Sequence, residues 1–179
     1  MNAIIGDIWQ FDKPGNAIAL PGNIGWTRKG ENVMGAGVAK QAAQRYPTIK
    51  KYFGEGCQKY RSRTHILAYE EQDSSMLLFF PVKPLNEDCP WLSWKSKASL
   101  DRIDLSCQFL VSYINGFSDV TNLQIYLPVV GCGNGGLEIK DAYPILDQYL
   151  FEGKYHLVIT PYDLKHIEYL KSIGVLGND

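Results

Sequence analysis

The sequence predicts an α/β protein of three layers, α/β/α, with a central sheet, mostly parallel or mixed, covered by helices on both faces. Three observations predict it. Short apolar runs alternate with longer stretches whose apolar residues recur at helical spacing. Two glycine-rich turns each lead into a helix. The length of 179 residues, at 45% hydrophobic and 21% charged, supports one core without staples and excludes a disordered chain.

Taken in order, residues 3–8 and 17–20 read as buried strands, the second ended by the turn cluster Pro21-Gly22-Asn23. Val38, Ala39, Ala42, Ala43 and Tyr46 fall at helical spacing, and Pro47 closes that helix. Thr48, an N-cap residue type, opens a second helix through Tyr52 and Phe53 towards Tyr60. Residues 64–69 and 76–82 read as strands around a polar turn, and residues 84–94, with two prolines and no period, as a long surface loop. Leu100, Ile103, Cys107, Leu110, Val111 and Ile114 make an apolar helical stripe that stops at Asn115-Gly116.

Residues 123–128 read as a strand, followed by a glycine-rich turn and a helix carrying Ile145, Leu146, Tyr149 and Leu150. Pro144 fits that helix only within its first turn. Residues 155–160 form the last strand and 164–173 the last helix. With no repeat, linker or low-complexity tract, residues 1–179 read as one domain. Ligands of such sheets bind outside the carboxyl ends of the strands, which directs attention to the loops after Leu20, Val82, Pro128 and Thr160.

The 18 basic and 19 acidic residues leave a formal charge of −1. A broad electrostatic grip on nucleic acid needs a basic surplus to displace condensed counterions, so only a local basic patch is open to this chain. Cys57, Cys89, Cys107 and Cys132 form no C-x-x-C pair and no zinc-like cluster with His65, His156 and His166. No metal and no cofactor is expected, and the thiols read as reduced in a cytoplasmic compartment. The opening MNAIIGDIWQF lacks the basic region of a signal peptide and breaks its apolar run at Gly6-Asp7. No apolar stretch approaches the roughly 20 residues needed to cross a bilayer. A soluble monomer without a membrane partner is expected.

The chemistry sits in two glycine loops. The first, Val33-Met34-Gly35-Ala36-Gly37-Val38, runs into a helix; the second, Val130-Gly131-Cys132-Gly133-Asn134-Gly135-Gly136-Leu137, lies between a strand and a helix. Glycine tolerates positive φ, so consecutive backbone amides can converge into an anion-binding concavity. A helix N-terminus behind it adds unpaired donors and partial positive charge. Two such loops facing each other hold both phosphates of a diphosphate without a basic side chain. No Gly-Lys-Ser/Thr follows either loop, and Gly35-x-Gly37 lacks the third glycine of a dinucleotide fingerprint, which argues against a nucleotide triphosphatase and a dehydrogenase.

With Gly6-Asp7-Ile8, Met34-Gly35-Ala36-Gly37-Val38-Ala39, Leu127-Pro128 and Gly131-Cys132-Gly133-Asn134-Gly135-Gly136-Leu137-Glu138 in this order, the chain resembles a macro domain, the ADP-ribose-binding module. It is most similar to the branch of DNA-directed antitoxin glycohydrolases and terminal ADP-ribose glycohydrolases. Residues 37–47, Gly-Val-Ala-Lys-Gln-Ala-Ala-Gln-Arg-Tyr-Pro, also resemble ADP-ribose 1''-phosphate phosphatases. The resemblance implies a macro-domain α/β/α fold and a cleft for ADP-ribose. Asp7 would accept from the adenine amino group beside the Ile8 amide. Gly35, Ala36, Gly37 and Val38 would form one wall of the diphosphate cleft. Gly131, Cys132, Gly133, Asn134, Gly135, Gly136 and Leu137 would form the other.

The resemblance also places a catalytic lysine at the end of the strand that closes here on Lys83. A partly desolvated amine can attack the anomeric carbon of the distal ribose or assist the departing group; a solvated lysine opening a loop is the alternative. Asn134 stands where the terminal ADP-ribose glycohydrolases carry an aspartate. An amide positions ribose or water but is no general base, which favours the DNA-directed branch. Either Asn23 or Asn32 would contact the distal ribose. Tyr162 either stacks on adenine or is an ordinary surface residue.

The segment Trp91-Leu92-Ser93-Trp94-Lys95-Ser96-Lys97, with Arg28-Lys29, mixes aromatic and basic side chains that suit stacking on bases, or packing of a loop onto the core. Three functions are open. The first is an ADP-ribosyl hydrolase acting on ADP-ribosylated nucleic acid or protein. The second is an ADP-ribose 1''-phosphate phosphatase, and the third a non-catalytic reader or sponge of ADP-ribose or a related NAD-derived metabolite.

Overall fold

The computed structural model describes residues 1–116 and 122–177. A six-stranded sheet carries strands β1 (Asn2–Ile5), β2 (Asn16–Asn23), β3 (Leu67–Tyr69), β4 (Met76–Lys83), β5 (Gln124–Pro128) and β6 (Tyr155–Ile159) in the order β1-β6-β5-β2-β4-β3. All neighbours are parallel except β3 with β4, so the sheet is mixed. Helices α1 (Gly37–Arg45) and α2 (Ile49–Tyr60) cover one face; α3 (Leu100–Asn115), α4 (Ile139–Tyr149) and α5 (Leu164–Ser172) cover the other. This is the three-layer α/β/α arrangement expected from the sequence.

Strand β4 explains the two cores. Its side chains alternate, Leu78, Phe80 and Val82 packing with Ile103, Cys107 and Leu110 of α3, and Leu77 and Phe79 packing with Ile49 and Phe53 of α2. A strand covered on both faces must be apolar throughout. Phe79 meets Phe53 at a ring-centroid distance of 4.9 Å. Ser99 opens α3 by accepting from the Arg102 amide at 3.3 Å, a side-chain cap that fixes where the helix begins.

Some boundaries differ from the sequence reading, each for a local reason. Strand β1 stops at Ile5, and Ile8–Phe11 forms a 3-10 turn whose N-cap, Asp7, accepts from the Trp9 amide at 3.1 Å. Strand β2 passes through Pro21 and Gly22 to Asn23. Its ladder with β5 covers only Asn16 to Ile18, so a proline further on removes no hydrogen bond on that side. Strand β3 begins at Leu67, and Pro90–Lys95 coils into a 3-10 turn within the expected loop. Thr48 does not cap α2; its hydroxyl pairs with the Tyr69 hydroxyl at 2.5 Å. Pro144 lies beyond the first turn of α4, against the sequence expectation, on the exposed side of the helix, where it has no amide to donate to the carbonyl one turn back.

No helix among the described residues is long and apolar enough to cross a membrane.

Candidate functional site

The cleft originates in the sheet. Strands β2 and β5 pair over three residues, Asn16 to Ile18 with Gln124 to Tyr126, and then part. Chain continues on both sides, to Asn23 and Pro128, and the gap between them opens a cleft of about 970 Å³ at the carboxyl ends of the strands. From β2 the chain turns to helices on one face, and from β5 to a helix on the other. That is the topological switch point where α/β sheets hold ligands.

Five chain segments border the cleft. Pro21, Gly22 and Asn23 come from the end of β2, and Val82 with Lys83 from the end of β4. Val33 and Gly35 to Ala39 supply the first glycine loop and the start of α1. Opposite stand Pro128, Val129, Gly131, Gly133, Asn134 and Gly135, with Trp94 and Lys95 at the mouth. No carboxylate lines the cleft, and its two charged side chains are both lysines.

Backbone amides dominate the two glycine walls. Helix α1 starts at Gly37 with Ala36 as N-cap and no side-chain cap. The first-turn amides of any helix lack intrahelical acceptors, so those of Gly37, Val38 and Ala39 are donors presented to the cleft. Across the gap, the amides of Gly133, Asn134 and Gly135 donate to no backbone oxygen among the described residues.

The glycines separate into two kinds. Gly131, at φ +75°, makes the turn, and a Cβ on Gly135 would collide with the Gly131 carbonyl. Fold alone requires those two. Gly35 and Gly133 have neither a positive φ nor any atom within 4 Å of where a Cβ would stand. Neither backbone strain nor packing asks for glycine there. What their missing side chains leave free is the cleft.

Lys83 ends β4 half-buried, and its Nζ donates to the Trp94 carbonyl at 2.7 Å and the Asn134 carbonyl at 2.9 Å. The amine thus joins the aromatic turn to the second glycine loop. Burial pushes its pKa below the ordinary lysine value. Asn134 contributes that carbonyl, and its side chain is exposed at the cleft.

The two asparagine candidates part here. Asn32 is fully buried outside the cleft, its Nδ2 donating to the carbonyls of Asn23 at 2.7 Å and Gly25 at 2.8 Å. It pins the segment between β2 and the first glycine loop and is not among the residues that line the cleft. Asn23 borders the cleft, with its side chain donating to the Val33 carbonyl at 2.8 Å and accepting from the Gly25 amide at 3.2 Å.

Cys132, Gly136 and Leu137 belong to the second loop without lining the cleft. The Cys132 thiol sits at 3.4 Å from the Val130 carbonyl, and burial pushes its pKa up to about 11. A thiol that stays protonated at neutral pH is no nucleophile. Asp7, Ile8 and Tyr162 also stand outside the lining, at the β1 and β6 end of the same sheet edge. Ile8 is buried, Asp7 is exposed with one oxygen spent on its cap, and Tyr162 is 93% exposed.

Val33, Ala39 and Pro128 stand in the sequence motifs without an assigned binding role, yet they line the cleft, as do Pro21, Gly22 and Val129, at which the carboxyl-end rule points. Trp94 and Lys95, singled out for a basic-aromatic surface, prove to border the cleft itself. Among the described residues no three of His, Cys, Asp or Glu gather closely enough to hold a metal ion.

A split sheet with glycine loops facing each other over the gap is the macrodomain fold, and the chain has it. The solved structures it resembles include the macrodomain of Mycobacterium tuberculosis DarG, at 23% identity and a TM-score of 0.67, with 89% of this chain and 96% of that one covered. Another is Thermosipho africanus DarTG in complex with ADP-ribose, at 21% identity and a TM-score of 0.67, covering 90% of this chain and 42% of that one. A curated relative, the DNA ADP-ribosyl transferase–DNA ADP-ribosyl glycohydrolase fusion protein of Thermosipho africanus (strain H17ap60334), is 23% identical over 137 residues. That match covers 66% of this chain and 32% of the fusion protein, so the chain spans about a third of the length of this relative. No family model matches the chain.

Proposed function

We propose that the chain binds ADP-ribose in the cleft and hydrolyses its linkage to a nucleic-acid acceptor. The observation that carries this is the pair Gly35 and Gly133, kept free of side chains on opposite walls where nothing in the fold demands glycine. Main-chain amides there suit a diphosphate, and the carboxylate-free lining adds no repulsion to it. Asp7 and the exposed Tyr162 ring would take the adenine, and Asn23 and Val33 would border the distal ribose. The Thermosipho africanus structure with ADP-ribose and the DNA-directed activity in the relative's name support the ligand and the acceptor.

Lys83 is the group we assign to the chemistry. Its neutral amine forms a bond to the anomeric carbon of the distal ribose as the bond to the acceptor breaks. The acceptor leaves with the bonding pair and receives the amine's proton. Water, oriented by the Asn134 side chain, then displaces the lysine to give free ADP-ribose and regenerate the amine. A lowered lysine pKa increases the neutral fraction this step uses.

A non-catalytic reader is the second reading, favoured by one observation: the Lys83 amine already donates to two carbonyls, as a structural lysine would. Wild type and Lys83→Ala, assayed on ADP-ribosylated oligonucleotides, ADP-ribosylated protein and ADP-ribose 1''-phosphate, decide between them. Release of ADP-ribose from the oligonucleotide by wild type and not by the variant supports the hydrolase. ADP-ribose binding with no cleavage of any substrate supports the reader.

A further inference from the structure

We infer that the rim built by residues 24–31 and the turn Pro90–Lys95 docks the single-stranded polynucleotide that bears the modified nucleotide. The inference rests on the reading of the cleft as an ADP-ribose site and adds a surface that recognises the strand itself. Three of the four tryptophans stand on this rim, each with a cation over its ring. The Arg61 guanidinium lies 5.4 Å from the Trp26 ring, that of Arg28 5.5 Å from Trp91, and the Lys95 ammonium 5.5 Å from Trp94. Trp91 and Trp94 are 39% and 46% exposed, whereas the fourth, Trp9, is buried.

The pieces form one continuous surface. A Cβ on Gly25 would collide with the Pro90 carbonyl and stand 2.6 Å from the Ser93 side chain, so the two segments are packed against each other. Arg61 also pairs with Glu87, tying the chain after Lys83 to the same edge. Lys83 holds the Trp94 carbonyl, so the rim begins where the cleft ends.

Charge and ring faces together select the partner. Arg28, Lys29, Lys95 and Lys97 form no ion pair among the described residues. The nearby Glu31 and Glu87 are paired with Lys50 and Arg61, leaving Asp88 as the exposed acidic side chain of this edge. A local cationic surface on a chain of formal charge −1 answers phosphates. Half-exposed indoles answer unstacked bases, whose faces a single strand presents and a duplex hides.

The test titrates a fluorescein-labelled, unmodified single-stranded DNA against wild type, Trp91→Ala and the surface-charge variant Arg28→Gln/Lys29→Gln, reading anisotropy, with ADP-ribose calorimetry alongside. A strand of about ten nucleotides is long enough for one such track. The expected result is binding that weakens about fivefold or more in each variant, with a slope of log K against log salt of about −1.5 to −3 for two to four phosphates. ADP-ribose affinity stays within about twofold, because neither variant touches the cleft. Equal binding by wild type and variants, no strand binding, or equally tight binding of polyglutamate, which marks a surface for acidic proteins, would overturn the inference. The strand carries no ADP-ribose, so loss of ADP-ribose binding alone counts against the cleft, and loss of strand binding alone counts against the rim.

Discussion

Adding one methyl group at Gly133 or Gly35 separates fold from function. No atom lies within 4 Å of a Cβ at either position, and neither glycine sits at positive φ. Gly→Ala at such a site leaves the fold intact and restricts the unfolded chain, a gain of about 0.4–1 kcal/mol. For a chain of this length that raises the melting temperature by roughly 1–4 °C. The same methyl occupies the space through which a phosphate oxygen would reach the loop amides. Losing one charge-assisted hydrogen bond costs about 1.5–3 kcal/mol, or roughly tenfold to a hundredfold in affinity for ADP-ribose. Gly135→Ala is the contrasting variant, since its Cβ collides with the Gly131 carbonyl and should lower the melting temperature outright. Calorimetric titration with ADP-ribose and thermal melts read both quantities. Unchanged affinity in Gly35→Ala and Gly133→Ala would mean that these glycines serve neither fold nor ligand and that the diphosphate does not lie against them.

Lys83→Ala should abolish turnover while ADP-ribose affinity stays within about threefold, the signature of a group used in the reacting step and not in uniform binding. Wild-type turnover should rise with pH until the amine is neutral, with its midpoint below the ordinary lysine value because burial lowers that pKa; a flat profile removes the lysine from the step. Asn32→Ala, losing two hydrogen bonds to buried carbonyls, should destabilise by about 2–4 kcal/mol in a denaturant melt. Cys132→Ser should leave turnover near wild type, and iodoacetamide should modify Cys132 slowly at pH 8, since burial pushes its thiol pKa up to about 11.

Much of this fold was readable because its elements obey local rules. The apolar stripe of α3 with its stop at Asn115-Gly116, the Pro47 break after α1, and the unbroken run of β4 each announce themselves in sequence. The site was readable in part for the same reason. The carboxyl-end rule pointed at the loop after Val82, the resemblance singled out Lys83 there, and glycine spacing led to both walls. What was hidden depends on where chain segments meet. Pro21 and Gly22 look like a turn, yet they continue β2, because β5 has by then diverged and asks nothing of their amides. Asn23 and Asn32 look interchangeable and both are buried, and only the packing of the link between β2 and α1 sets Asn23 on the cleft lining and Asn32 away from it. The bond from Lys83 to the Trp94 carbonyl joins backbone and side chain 11 residues apart, and a carbonyl has no sequence signal.

The most direct measurement is a crystal structure of the protein soaked with ADP-ribose. The diphosphate oxygens should lie within hydrogen-bond reach of amides from residues 35–38 on one side and 133–135 on the other, with the anomeric carbon of the distal ribose facing Lys83. Density for the ligand elsewhere, or an empty cleft at a concentration that saturates the protein in solution, would rule out this cleft as the ADP-ribose site.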